Sequence, residues 1–301
     1  MKLYYYRDPV GNFGDDLNPW IWTTLLPDFL DDDDTDLFLG IGTVINSAVP
    51  SAPRKLVFGA GLGYVGMPAI DARWHFRFVR GPLTAHLLGL ESRLAITDPA
   101  VLVASLLATP EPEKRYPVSY MPHHVSTRMA DWQRLCASAG VTYLDPAANV
   151  HETLLRIRQS RVVLCEAMHG AIVADALRVP WIPVNAYDHI LEFKWRDWCQ
   201  TVKLDYRPQH LPRVFDAERL HSLGERQRNR VKRLLRAAGI WSPNWRRPPP
   251  VRNLASAEGP AVEALADLAR RAPPLLSETR VHSSNLIRVH EEIERLRRDF
   301  G

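Results

Sequence analysis

The chain has 301 residues, 46% of them hydrophobic and 24% charged, with a formal net charge of +4. This balance fits a soluble globular protein with a full core, in one large domain or two of ordinary size. It excludes a membrane-spanning helix, because the best apolar candidate, residues 99–108, falls well short of the roughly 18–20 residues a bilayer requires. Cys136, Cys165 and Cys199 stand apart, with no metal-ligand spacing and no even framework, and read as reduced thiols of a cytoplasmic protein.

Residues 2–6 read as a first strand rather than a signal peptide, followed by a polar loop over 8–16 and a short helix over 18–26. The acidic run 31–34 reads as a solvated loop. Residues 37–42, 55–61 and 74–80 are strands, the first two running into Gly-rich turns, with a helix over 81–88 after the third. Ala95-Ile96 runs into a Thr97-Asp98-Pro99 turn with a helix beyond. A Pro- and charge-rich linker, 109–115, then opens a second series. It has strands at 118–121, 141–144, 162–165 and 181–184 and helices at 129–139, 151–158 and 171–177. The alternation predicts parallel α/β sheets. Two Rossmann-like halves, 1–112 and 113–212, would face a cleft at the carboxyl ends of their strands, where open α/β sheets bind ligands.

Residues 213–301 read as a helical C-terminal extension: a basic helix over 217–238, a break at Pro248-Pro249-Pro250, and amphipathic helices over 261–271 and 284–300. Arg226, Arg228, Arg230, Lys232, Arg233, Arg236, Arg246 and Arg247 make it basic. A solvated helix face is the plain reading. Attraction to anionic lipid head groups or a lipid-linked substrate is the sharper one. Nucleic acid ranks last, for want of a motif.

Cys165-Glu166-Ala167-Met168-His169-Gly170-Ala171 spans a strand-to-helix junction. Free N–H groups and the positive helix end attract anions there, and a histidine moves protons near neutral pH. Gly11-Asn12-Phe13-Gly14-Asp15-Asp16 reads as a tight turn with Asp15 or Asp16 capping a helix, or as a loop that offers a base to a substrate hydroxyl. Gly61-Leu62-Gly63-Tyr64-Val65-Gly66 has dinucleotide-fingerprint spacing, but Pro68 interrupts the required helix and the next strand ends in Arg80 rather than an acid, so NAD is not expected. Arg80 is placed to grip a carboxylate or phosphate, or to make an interdomain salt bridge, two readings of equal weight. His123 and His124 form no standard zinc pattern, and no metal site is expected. Lys194 and Arg196 alternate with aromatics and read either as an amphipathic surface or as a basic lid over a phosphate.

In order and spacing over roughly residues 1–205, several motifs resemble the polysaccharide pyruvyltransferases. They are Asn12-Phe13-Gly14-Asp15, Val79-Arg80-Gly81-Pro82-Leu83-Thr84, Thr97-Asp98-Pro99-Ala100, Pro122-His123-His124, the 168–176 segment and Glu192-Phe193-Lys194-Trp195. The nearest subgroup is the ketal-forming enzymes of exopolysaccharides such as succinoglycan and xanthan. The resemblance implies a GT-B-like fold of two Rossmann-like domains, phosphoenolpyruvate as donor, and no nucleotide or obligatory metal cofactor. It has one departure: many members carry an Arg two positions before the histidine, where this chain has Ala167.

With that resemblance, His169 is expected as general acid or phosphate partner, and Asp15 or His123 as base for the attacking hydroxyl. Arg80 would grip the donor, the N–H groups of Gly170 and Ala171 would hold phosphate, and Lys194 would close the site. Asn12, His124 and Arg196 complete the expected substrate contacts. The N-terminal half would face the acceptor and the C-terminal half the donor. The expected partners are phosphoenolpyruvate, a glycan or lipid-linked oligosaccharide, and the inner face of the cytoplasmic membrane through the basic tail. Nucleic acid is not expected, and a homo-oligomer stays compatible. Two readings compete: a GT-B glycosyltransferase using a nucleotide sugar, and a catalytically dead scaffold of exopolysaccharide assembly.

Overall fold

A computed structural model describes residues 1–63, 66–107, 110–215, 223–240 and 254–300. Four strands, β1 (Lys2–Tyr4), β2 (Asp36–Leu39), β3 (Arg54–Phe58) and β4 (Trp74–Phe78), form a parallel sheet in chain order. Ala95 extends it by bridging to Val79. The second sheet is also parallel, in the order β6 (Thr142–Tyr143), β5 (Tyr116–Met121), β7 (Ser160–Cys165), β8 (Trp181–Asn185), β9 (Gln209–His210). The architecture is therefore α/β with two parallel sheets, as the alternating pattern predicts.

The helices between the strands are α1 (Phe13–Leu25), α2 (Pro82–Leu87), α3 (Val103–Leu106), α4 (Trp132–Ser138), α5 (Val150–Arg158), α6 (Met168–Ala176) and α7 (Glu192–Thr201). Two start several residues earlier than expected, and both shifts matter for the site. α1 begins at Phe13 rather than residue 18. Asn12 takes an extended conformation there, and its N–H donates to Asp16 Oδ2 at 2.9 Å. The acidic first turn also suits the positive end of the helix. Asp15 thus lies on a helix, not in a loop. α6 begins at Met168 rather than 171, which puts His169 in its first turn.

α1 is amphipathic. Leu17, Ile21 and Trp22 pack onto the sheet, where Trp22 meets Phe38 edge-on at 5.0 Å. The same core runs on into the second half through Met121, Val163 and Ala171 to Trp181, Trp195 and Trp198. The C-terminal part adds α8 (Leu223–Ala237), α9 (Leu254–Arg271) and α10 (Thr279–Phe300). Ala261 and Leu265 of α9 pack with Trp132 and Leu135 of α4. Val289, Ile293 and Leu296 of α10 join the shared core. α10 also returns to the first half, where Arg297 donates to the Leu25 carbonyl at 2.6 Å and Arg288 to the Arg93 carbonyl at 2.9 Å. Asp175 of α6 anchors the approach to α10. It accepts from Ser277 N at 2.8 Å, Ser277 Oγ at 2.6 Å and Trp181 Nε1 at 3.1 Å.

Residues 217–222 of the expected basic helix, Arg246, Arg247, Pro248-Pro249-Pro250, Tyr64-Val65 and Thr109 lie outside the described residues. Among the described residues, no helix is long and apolar enough to cross a membrane.

Candidate active site

The strand ends and first helical turns of both halves enclose a cleft of about 900 Å³. Asn12, Asp15 and Thr43 line it from the first half. His123, His124, His169, His189 and Lys194 line it from the second. This is the carboxyl-end crevice that the topology demands.

His169 is held from two sides. Its Nε2 lies 3.5 Å from Asp98 Oδ2, and both atoms are buried with no hydrogen-bond partner. Its Nδ1 lies over α1 at Gly14, where a Cβ would stand only 1.9 Å away. Glycine is therefore the residue that lets helix and imidazole meet, and it links the Asn12-Phe13-Gly14-Asp15 motif to the His-Gly motif. Ala167 caps α6 without a side-chain hydrogen bond. Met168 and His169, whose N–H groups a helix leaves without internal partners, line the cleft.

Asp15 is buried beside them and accepts a hydrogen bond from Asn12 Nδ2. Burial pushes its carboxyl up to about 6, although His169 and Lys194 pull the other way. Such a carboxylate is a competent base near neutral pH. The helix-capping role read for this loop falls to Asp16.

The imidazoles of His123, His124 and His189 cluster, with ring centres 4.3 Å and 5.1 Å from that of His123. His123 Nδ1 accepts from Val125 N–H at 3.3 Å, and His189 Nε2 shares a hydrogen bond with Ser126 Oγ at 3.1 Å. Burial first, then nearby positive charge including Lys194, pushes all three down: His123 well below its ordinary range, His124 and His189 to about 4. They are neutral hydrogen-bonding groups at physiological pH. The buried Glu166 accepts the N–H groups of His123 at 3.0 Å and Ala186 at 3.1 Å, tying the loops after β5 and β8 together.

Residues 4–189 match the family described as polysaccharide pyruvyl transferase. The chain belongs to that family. It is also similar to the succinoglycan biosynthesis protein ExoV of Rhizobium meliloti (strain 1021), with 44% identity over 221 residues, covering 72% of this chain and 70% of that protein. No solved structure matches it at a significant level. The chain is thus a polysaccharide pyruvyltransferase.

Several of the residues expected to serve this pyruvyltransferase are placed elsewhere. Arg80 is fully buried and away from the cleft lining. Its Nε donates to Asp197 Oδ2 at 3.2 Å, Nη1 to Thr43 Oγ1 at 2.9 Å and Nη2 to the Leu62 carbonyl at 3.2 Å. It is the salt bridge between the halves, not the donor grip. Gly61, the opening glycine of the fingerprint-like run, makes room for that guanidinium. Gly170 donates its N–H to the Ala167 carbonyl at 3.1 Å, and Gly170 and Ala171 are both buried off the cleft wall, so Met168 and His169 are the residues of this turn that reach the cleft. Arg196 is exposed and paired with Glu192 at 2.6 Å. His123 has its Nδ1 engaged and its pKa depressed, which makes it a donor through Nε2 rather than a base.

The pyruvyltransferase site also holds residues the sequence reading passed over. Arg7 and Lys194 are the Arg or Lys side chains on the cleft wall among the described residues. Arg7 sits over the Tyr5 ring at 4.9 Å. Arg7 follows β1 and His189 follows β8, so listing what comes just after each strand would have found both. Asp98 had a signal of its own, in the Thr97-Asp98-Pro99-Ala100 motif.

Proposed function

We propose that this enzyme transfers pyruvate from phosphoenolpyruvate to a sugar of a bacterial exopolysaccharide or its lipid-linked precursor, forming a ketal and releasing phosphate. The observation that carries this reading is His169, in the first turn of α6, sharing a cleft with Lys194 and a carboxyl poised near neutrality. In the reaction, the donor's methylene carbon gains a proton, its C2 bonds to two sugar oxygens, and the C2–O bond to phosphate breaks. Of the two hydroxyl protons released, one balances the methyl group and the other leaves with phosphate. His169 supplies the proton, Lys194 and the N–H groups of Met168 and His169 bind the anionic donor, and Asp15 takes the hydroxyl proton. With Ala167 in place of the family Arg, Arg7 is the second cation for the donor's charge. The two facing sheets, with α10 crossing back to the first, support a GT-B-like arrangement with the donor on the second half.

The test is incubation with phosphoenolpyruvate and a synthetic glycoside bearing free hydroxyls. Phosphate release with a pyruvate-sized mass gain on the sugar is expected. Transfer from a nucleotide sugar, with phosphoenolpyruvate inert, would sink the reading. We also place the enzyme in the cytoplasm, at the inner face of the membrane through α8. Val231 and Leu234 of that helix are exposed alongside Arg228 and Arg230, a pairing suited to anionic lipid. Vesicles rich in anionic lipid should sediment the protein and neutral ones should not.

A further inference from the structure

Asp98 has no part in the reaction as set out so far, yet its surroundings single it out. It is fully buried. One carboxylate oxygen, Oδ1, accepts the Ala100 N–H at 3.0 Å. The other, Oδ2, has no hydrogen bond and faces His169 Nε2, which has none either. Leaving a buried carboxylate oxygen and a ring nitrogen both unpaired is costly, and a proton on Nε2 directed at Oδ2 relieves both.

The loop that carries Asp98 is pinned on both sides. Thr97 Oγ1 shares a hydrogen bond with Thr201 Oγ1 of α7 at 3.0 Å. Pro99 sits against Gly59, whose φ is +97° and where a Cβ would come within 2.1 Å of the Pro99 ring. A positive φ and no room for a side chain both require glycine there. Asp98 comes from the first half of the chain and His169 from the second. Asp15, Asp16 and Lys194 are the other charged groups acting with them in this corner.

We propose that Asp98 is a positioning residue for pyruvyl transfer. Its carboxylate holds His169 as the Nε2–H tautomer, leaving Nδ1, which lies toward the cleft-lining Gly14, to take up one of the two hydroxyl protons and deliver it to the donor's methylene carbon. Asp98 steadies the imidazolium that forms. The pair is complete only when the two halves are docked, so proton transfer depends on their registration. The proposal rests on His169 acting in pyruvyl transfer, as set out above.

Asp98→Asn keeps the shape of the side chain and an acceptor for Ala100 N–H while removing the charge opposite Nε2. A fall in kcat on the order of 10²-fold or more is expected, with KM for phosphoenolpyruvate nearly unchanged. ¹⁵N-histidine NMR of the protein without substrate, assigned by the signals lost in His169→Gln, gives an independent readout. The wild type should show His169 as the Nε2–H tautomer, and Asp98→Asn should move it toward Nδ1–H. A wild-type Nδ1–H tautomer would overturn the proposal whether or not the variant folds. So would an unchanged kcat in a folded Asp98→Asn protein. A tautomer switch in a protein that does not consume phosphoenolpyruvate would instead uphold the role of Asp98 and remove the donor assignment.

Discussion

Two carboxylates join the halves of the molecule, and they are used in opposite ways. Asp197, on α7, is saturated: it accepts from Arg80 Nε, from Thr84 N at 2.9 Å and from Thr84 Oγ1 at 2.6 Å. Its partner Arg80 spends donors on Thr43 and Leu62 as well. Asp98 has one oxygen satisfied and one aimed at a histidine on the cleft wall. The first pair is closed on itself and has no group left to offer a ligand. The second retains an unfulfilled proton acceptor next to a proton carrier. Burial is alike in the two places, so hydrogen-bond completeness, not charge or depth, separates the tie that holds the halves from the pair that can do chemistry.

The sharpest way to test this contrast is to remove one member from each pair. His169→Gln should reduce phosphate release by about 10³-fold while the protein melts near the wild-type temperature. Arg80→Met should do the reverse. It strands Asp197, buried, with only Thr84 to satisfy it, and should cost about 3–5 kcal/mol of stability, read by chemical denaturation. Residual turnover should track the folded fraction. If Arg80→Met left stability intact but abolished donor binding, the assignment of Arg80 to the interface would fall.

Gly14→Ala tests the same pair from the α1 side. A methyl there would meet His169 Nδ1, so the ring must swing away from Asp98 or the helix must shift. A drop in kcat of roughly 10–10²-fold is expected, although alanine is up to about 1 kcal/mol the better helix former. Full activity in a well-folded Gly14→Ala enzyme would mean that the seat of His169 against α1 is not needed.

How much of this was legible beforehand follows from what each residue type can signal. Apolar runs alternating with helical periods marked both parallel sheets, because strands buried on both faces leave little choice of residue. The His-Gly junction was legible for a similar reason: a histidine and a glycine at a strand-to-helix turn have few packing roles. The start of α1 was not. Its first turn, Phe13-Gly14-Asp15-Asp16, is locally turn-like, and it is helical because of the Asn12–Asp16 hydrogen bond and the packing of Gly14 under His169, a contact 155 residues away in sequence from Gly14 to His169. Arg80 was ambiguous on its own terms, since its partner, Asp197, stands in a different half of the chain. Sequence placed the charge at a strand end but could not say which side of the loop the guanidinium would face.

The smallest expected effect is on stability against pH, and it separates the histidine cluster from Asp15 by sign. His124 and His189 titrate near 4 in the fold, against about 6.5 when exposed. The unfolded chain therefore binds more protons between these values, and stability is lost as pH falls from about 6.5 toward 4. Asp15 works against this trend. Its carboxyl is raised to about 6, so the folded state takes up a proton ahead of the unfolded chain, and stability is gained as pH falls through the same window. The three depressed histidines outweigh the raised carboxyls of Asp15 and Glu166, so the melting temperature should decline on acidification. His124→Gln with His189→Gln should flatten that decline in calorimetry, and Asp15→Asn should steepen it by a few degrees. If Asp15→Asn flattened it instead, Asp15 would be ionised in the fold well below 6, and the base of the reaction would have to be sought elsewhere in the cleft.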